Sequence, residues 1–378
     1  MSPSTTTLST PPLPPTMRAW TYTTPGSPLT TLTLTPSHPT PSPTTLAPSD
    51  LLIKVTHTSL NPTMRMLMRL LPSLPLLRKS PTIPEIDYSG TVIAISPRAT
   101  DAVRAEFPPG TAVLGVNDPV KEVVWRGRGA LAEYVVGRVG TVMRKPAGLG
   151  FEEAAGLGVV GCTALNLVRR AGVRRGEKVL VNGASSGTGV MVVQMVRGLV
   201  GEGGWVVGVC SREGLGLVRG LGADEVIDYT TTHLPTYLAT HHSNPPFDKI
   251  LDTIGIQDLY THSPAYLSPG RPAGTPTFFN IGALHAVETK TDILAALWRI
   301  LIRNPYLPVI FGGVPRGYEC VTTEVDKEMF EEVVKMVEGG RLRVVIDSVW
   351  GMEEGLKAYE RSMTMHARGK VIVKVQDL

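Results

Sequence analysis

The stretch KVLVNGASSGTGVMVVQ, Lys178 to Gln194, sets Gly183, Gly187 and Gly189 between an apolar run that reads as a strand and a segment that reads as a helix. A strand-to-helix turn of this kind can cradle a pyrophosphate. The backbone must turn sharply and come close to the phosphates, whose charge sits at the helix N-terminus. A side chain at Gly187 or Gly189 would block that approach, and Ser185 and Ser186 can add hydroxyl donors. The candidate loop therefore runs through Gly183, Ala184, Ser185, Ser186, Gly187, Thr188, Gly189 and Val190. Its spacing, G-x-x-x-G-x-G, departs from the common G-x-G-x-x-G, so its surroundings must carry the reading.

Those surroundings alternate strand and helix. After KVLVNGA and the helix GVMVVQMVRGLV come WVVGVCS, a helix around GLGLVRGLGA, then EVIDY, DKILDTIG and GTPTFFNIGA. Continuous apolar strands separated by helices predict a parallel sheet covered on both faces. In such a sheet the end of the second strand reads the nucleotide. An acid there, about 20 residues past the glycines, selects NAD, whereas a hydroxyl and a guanidinium bind a 2′-phosphate. Here Ser211 and Arg212 occupy that place, which points to NADP(H); Glu213 keeps NAD open as the alternative. Tyr229, ending the third strand, is placed to pack beside the adenine ribose or simply into the protein.

The 378 residues, 42% hydrophobic and 19% charged with a net charge of +4, describe a folded protein of two or three domains and give no case for nucleic acid. Cys162, Cys210 and Cys320 lie far apart, with no CxxC, so neither a disulfide framework nor a thiolate zinc cluster is expected, and a cytoplasmic location follows. Residues 1–16, rich in Ser, Thr and Pro, read as a disordered leader. From about 17 to 147 short strands separated by turns predict a small β-barrel, and 319–378 return to strand-rich structure, so both ends of the chain build the barrel and 148–318 form the inserted dinucleotide domain. The apolar segment 292–314 is interrupted by Arg299, Arg303 and two prolines. It is read as a buried or lid helix with an extended continuation in preference to a membrane-surface helix, and not as a spanning one.

The loop spacing also resembles the short-chain dehydrogenases, but their Y-x-x-x-K pair is absent after the loop. A second resemblance covers the chain from about Met17 to Val375. SLNPT, IPEIDYSGTVIA, GALAEYVV, AAGLGVVGCTAL, GASSGTG, LGADEVIDY, FDKILDTIG and ARGKVIVKV, in that order, resemble the medium-chain dehydrogenase/reductase superfamily. The resemblance implies an α/β fold: a GroES-like β-barrel catalytic domain with an inserted Rossmann domain, a doubly wound parallel sheet. Where zinc members carry a cysteine and a His-Glu pair, this chain has Asn61 and Ile86-Asp87, so no metal site is expected and the zinc-free quinone oxidoreductase and enoyl reductase branch is implied.

That branch implies hydride transfer from NADPH to a quinone or an α,β-unsaturated carbonyl. It places Asn61 at the nicotinamide and substrate pocket, and Thr163, Ile281 and Gly282 along the cofactor. Ile254 and Gly255 fall on the loop after the fourth strand, at the crevice; Lys370 reaches toward the cofactor side of the cleft or faces solvent. Tyr88 is the nearest candidate proton donor, with core packing as its other role. Met64 and Glu85 replace an aspartate and a glycine common in the family. Two further readings stay open: an NADPH-binding peripheral-membrane or regulatory protein with little turnover, and a trans-acting enoyl reductase of a polyketide pathway. A homodimer through the Rossmann sheet edge is a further implication of the family.

Overall fold

The computed structural model describes residues 13–71, 79–270, 275–282, 289–322 and 325–377. Most of the expected leader, residues 1–12, lies outside the described residues. Its far end does not: the Pro15 carbonyl accepts from Thr40 N, and the first strand begins at Thr16.

The strands are β1 (Thr16–Thr21), β2 (Thr33–Pro39), β3 (Asp50–Ser59), β4 (Asp87–Ile95), β5 (Ala112–Val116), β6 (Tyr134–Arg138), β7 (Val142–Arg144), β8 (Lys178–Asn182), β9 (Trp205–Cys210), β10 (Glu225–Asp228), β11 (Lys249–Asp252), β12 (Pro276–Asn280), β13 (Gly317–Cys320), β14 (Ile346–Gly351) and β15 (Lys370–Lys374). Six helices carry the argument: α1 (Pro62–Leu70), α2 (Gly158–Ala171), α3 (Gly189–Val200), α4 (Lys290–Trp298), α5 (Lys327–Glu338) and α6 (Gly355–Met363).

β8 to β13 form one parallel sheet in the spatial order β10-β9-β8-β11-β12-β13, the Rossmann order. Its apolar strands bury both faces, and alternate residues feed two cores. Val179, Val181, Val206 and Leu251 pack with α2 and α3; Leu180, Val207, Ile250 and Phe278 pack with Leu234, Leu238, Leu259 and Tyr260 on the other face. The order reverses between β8 and β11, so a crevice opens beyond their C-terminal ends, where such sheets bind ligands. β13 differs from the pattern read in the sequence, which supplies five strands. It is a four-residue edge strand in which only Tyr318 is buried, too short and too polar to announce itself, and it straddles the expected domain boundary at 318/319.

The other sheet runs β14-β15-β3-β4-β5-β7, with β6 also on β3. The ten-residue β3 pairs with β6 along its first half and with β15 along its last three residues, so one strand ties early and late chain into one barrel. Ile53, Val55, Tyr88, Val92, Val113, Val135, Val142, Val371 and Val373 fill it.

α4 and the turns after it cross the crevice end of the Rossmann sheet. Ala296 and Asn304 turn inward, and Asn304 exchanges two amide hydrogen bonds of 3.1 Å with Gln257. The outer face departs from the expected burial. Leu294, Leu297, Trp298, Leu301 and Ile302, at the i, i+3, i+4 spacing that normally faces a core, lie in solvent. Tyr306, Val309, Ile310 and Phe311 continue the apolar surface. No helix among the described residues is long and apolar enough to cross a membrane.

Candidate active site

The glycine loop sits at the crevice. Gly183 has φ +73°, and a Cβ on Gly189 would lie 2.0 Å from the Gly183 carbonyl oxygen, so the strand can turn straight into α3 only with glycine at both positions. Ser186 Oγ accepts from Gly189 N at 3.0 Å and shares a hydrogen bond of 3.2 Å with Thr253 Oγ1, which fixes the first turn of α3 to the loop after β11. Ala184 N donates to the Val209 carbonyl, pinning the loop to β9. A Cβ on Gly187 would meet the Lys370 side chain at 3.1 Å and the Gly369 carbonyl at 3.4 Å. Thr188 and Val190 begin the helix; Thr188 O accepts from Val192 N, and Ser186 O accepts from Val190 N. Thr163 is half-buried on α2, whose Val160 methyl lies 3.6 Å from the same Cβ position on Gly187.

Ile254 and Gly255 are shaped by a residue the sequence reading passed over. The Asp252 carboxylate, fully buried, accepts from Ile254 N and Gly255 N at 3.0 Å, Ile256 N at 2.9 Å, Asn182 Nδ2 at 2.8 Å and Asn280 Nδ2 at 3.1 Å. Burial pushes its pKa upward against those hydrogen bonds. Gly282 lets the next loop in: a Cβ there would stand 2.3 Å from the Ile254 carbonyl carbon, and Ile281 N donates to Asp252 O.

At the end of β9, Ser211 is buried and Arg212 exposed. Arg368, which the sequence gave no reason to single out, reaches the same corner and donates from Nη1 to the Glu213 carbonyl at 3.0 Å. Glu213 is held below its ordinary pKa by its own backbone N–H and by the Ser211 hydroxyl. Asp228 is held low chiefly by the Thr230 hydroxyl and N–H, with a smaller contribution from Arg212. Tyr229 is half-exposed beside them.

The floor of the cleft joins both domains. Leu60 N donates to the Val371 carbonyl, and Gly369 N donates to the Ser185 carbonyl, so the start of β15 binds the end of β3 and the glycine loop at once. Lys370 is buried, passes beneath Gly187 and donates from Nζ to Asn61 Oδ1 at 2.9 Å and Leu60 O at 3.2 Å. The same ammonium is 3.5 Å from Asp87 Oδ2. Asn61 caps α1 and donates from Nδ2 to Asp87 Oδ2 at 3.0 Å and Ser59 O at 3.2 Å. Ser59 Oγ and Val159 N also donate to Asp87. The two Nδ2 protons of Asn61 are thus engaged, and its carbonyl keeps one lone pair. Asn61 can offer a ligand an acceptor, which suits orientation rather than stabilisation of an oxyanion.

Tyr88 is not part of this floor. Along β4, Asp87 and Ser89 face the cleft side while Tyr88 points into the barrel, wholly buried, its hydroxyl against Gly115 and Gly137 and without a hydrogen-bond partner among the described residues. Burial raises its pKa far above that of a free phenol, and its place in the barrel core is the packing role rather than a position at the cleft floor.

A family profile described as zinc-binding dehydrogenase matches residues 221–373. A trans-enoyl reductase of Penicillium oxalicum is 37% identical, covering 96% of this chain and 98% of its own. The chain belongs to the medium-chain dehydrogenase/reductase superfamily. It falls in the quinone oxidoreductase and enoyl reductase branch and is a reductase with a nicotinamide cofactor. A medium chain reductase of an Acremonium species is 38% identical over 95% of this chain and 99% of its own. The quinone oxidoreductase of Coxiella burnetii, 24% identical, superposes with a TM-score of 0.70 over 95% of this chain and 99% of that one, and carries the likeness of fold. The GroES-like barrel and Rossmann sheet are the two parts of that fold.

Zinc does not fit here. At the positions that stand where zinc members hold their metal, Asn61 and Asp87 hydrogen-bond to each other and share the Lys370 ammonium, a cation built into the chain. Among the described residues no group of three or more His, Cys, Asp or Glu could hold a metal ion. A nicotinamide dinucleotide does fit the cradle of Gly183, Gly187 and Gly189.

Proposed function

We propose that this reductase is zinc-independent and uses NADPH to reduce the carbon–carbon double bond of an α,β-unsaturated carbonyl compound, with quinones as the second substrate class. The observation that carries the proposal is the cleft floor, where Lys370 joins the glycine loop to Asn61 and takes the place of a metal. When bound, the dinucleotide supplies the hydride. Gly183 to Val190 would hold its pyrophosphate, and Ser211, Arg212 and Arg368 its 2′-phosphate. The loops Ile254–Gly255 and Ile281–Gly282, built on Asp252, would flank the nicotinamide, and Thr163 and Tyr229 would line its path. Asn61 orients, and water protonates the enolate. No Lewis acid is needed, because the carbon that accepts hydride is already activated by conjugation.

The name trans-enoyl reductase, carried by the Penicillium oxalicum relative, supports an enoyl substrate; a polyketide chain held on a carrier is the alternative form of that substrate. The test is NADPH consumption after exhaustive chelation, with a simple enone, a quinone and an enoyl thioester, and NADH in parallel. Turnover with NADPH that survives chelation supports the reading; loss of activity on chelation overturns it. NADPH binding without turnover on any of the three would favour the regulatory alternative.

A second copy of the chain is the proposed partner. β13 is one of the two edge strands of the parallel sheet, and the exposed stripe Leu294, Leu297, Trp298 and Leu301 belongs to the segment leading into it. Sedimentation should give a dimer that Leu301→Glu converts to a monomer. A monomeric wild type that floats with anionic vesicles would put a lipid surface there instead. The unpaired cysteines support a cytoplasmic setting.

A further inference from the structure

Glu85 stands where the family resemblance implies glycine, and its surroundings give the exchange a consequence. The residue keeps the left-handed backbone that glycine would adopt freely, φ +67°, a conformation that costs a residue with a side chain. Its backbone is clamped: Glu85 O accepts from Ala130 N, and Pro84 O from Leu131 N. Its carboxyl is fully buried and faces the cleft floor. Oε2 accepts from Asn61 N at 3.0 Å, with Asn61 Nδ2 at 3.4 Å. Oε1 takes the Tyr359 hydroxyl of α6 at 2.6 Å. One carboxyl thus joins the cap of α1 to a helix near the end of the chain.

We propose that Glu85 is a positioning residue that acts through Asn61, holding the cap of α1 so that the Asn61 carbonyl faces the cleft in one fixed orientation. The proposal rests on the reading that Asn61 lies at the reaction site. The charges around Glu85 give the device a direction. Facing it are Tyr359 from α6, with Tyr22 behind it, Lys370 from β15 and Asp87 from β4. Among the described residues the carboxylate within 4 Å of the Lys370 ammonium is Asp87, at 3.5 Å. A neutral Glu85 leaves the floor balanced; an ionised one adds a second carboxylate that competes with Asn61 for the Lys370 ammonium. Burial pushes the Glu85 pKa up to about 8, while the Tyr359 hydroxyl, Lys370 and Asn61 pull the other way. Ionisation in alkali keeps the carboxyl's hold on the Asn61 N–H but draws the Lys370 ammonium away from Asn61 Oδ1, and with it the fixed orientation of that carbonyl.

Glu85→Gln, Glu85→Gly and the wild type separate the possibilities. Glutamine copies the neutral acid; glycine suits the backbone but removes the carboxyl. In the wild type, kcat should fall about tenfold per pH unit above the point where one group ionises. Glu85→Gln should keep activity within about threefold at pH 7 and lose that alkaline limb. Glu85→Gly should fold, bind NADPH with unchanged Kd because the glycine loop is untouched, and lose at least about tenfold in kcat, a loss that glutamine rescues. Hydrogen exchange of the 60–66 backbone supplies a readout without catalysis: faster in Glu85→Gly, unchanged in Glu85→Gln. A glycine variant with wild-type kcat and wild-type exchange, or a glutamine variant that keeps the alkaline limb, would overturn the proposal. If no substrate is turned over, the exchange result still decides whether Glu85 holds Asn61, and only the assignment of Asn61 to a reaction site falls.

Discussion

Replacing Glu85 by glutamine should make the protein more stable, and increasingly so as pH rises. The carboxyl is buried and its pKa is pushed from an ordinary 4.5 to about 8. Between those values the folded chain holds a proton that the unfolded chain has released. Wild-type stability from this group is therefore fully present below about pH 4.5 and declines as pH rises toward 8. Glutamine does not titrate. The gap between variant and wild type should open at about 1.36 kcal/mol per pH unit, to an upper figure of about 5 kcal/mol, and then level off. Water penetration and relaxation around Lys370 reduce the total, so about 2 kcal/mol at pH 8 is the working expectation. Urea unfolding at pH 5, 6, 7 and 8, followed through tryptophan fluorescence, measures it. Trp20 reports from the same barrel, its Nε1 donating to Met352 O at 2.8 Å and its ring packed against Gly355 of α6. A difference that stays constant across those four pH values, or that shrinks with rising pH, would refute the reasoning.

Three further outcomes follow from the site. Arg212→Ala should raise the Kd for NADPH by about tenfold to a hundredfold, the worth of a charge-assisted hydrogen bond of about 1.5–3 kcal/mol, and leave NADH unchanged by calorimetric titration; equal losses for both would remove Arg212 from the 2′-phosphate. Gly187→Ala should fold normally, since the one tight contact of its Cβ is a flexible lysine methylene at 3.1 Å and the Gly369 carbonyl and Val160 lie at ordinary contact distances, yet bind NADPH at least about tenfold more weakly; unchanged binding would displace the loop from the phosphate site. Asp252→Ala should cost at least about 3 kcal/mol in urea unfolding, because five donors lose their acceptor, and asparagine should recover part of it; a loss below about 1 kcal/mol would mean that other groups already satisfy them.

What the sequence disclosed was local. The glycine loop and the apolar strands of the Rossmann sheet are each written in a few consecutive residues, and their periodicity survives into the structure. What it concealed was distance and parity. Asn61 and Lys370 are 309 residues apart, and Tyr359 and Glu85 are 274, so no spacing rule links them. Glu85 could be noticed as a departure from glycine; that its carboxyl is buried and shared required the fold. Tyr88 was legible in principle. On a strand, neighbours face opposite sides, so an Asp87 at the cleft implies a Tyr88 in the barrel. Asp252 looked like an ordinary strand end because its five donors come from two other strands and the loop that follows it. The outward apolar face of α4 ran against the usual rule that such a stripe points inward.

The central claim is that hydride goes from NADPH to a conjugated carbon without a metal. NADPH carrying deuterium at the transferable C4 position should be incubated with the chelated protein and an α,β-unsaturated thioester, and the product examined by mass spectrometry and NMR. Deuterium at the β-carbon of a saturated thioester is the predicted result. Deuterium on a carbonyl-derived alcohol carbon, or transfer that appears only when zinc is restored, would contradict it.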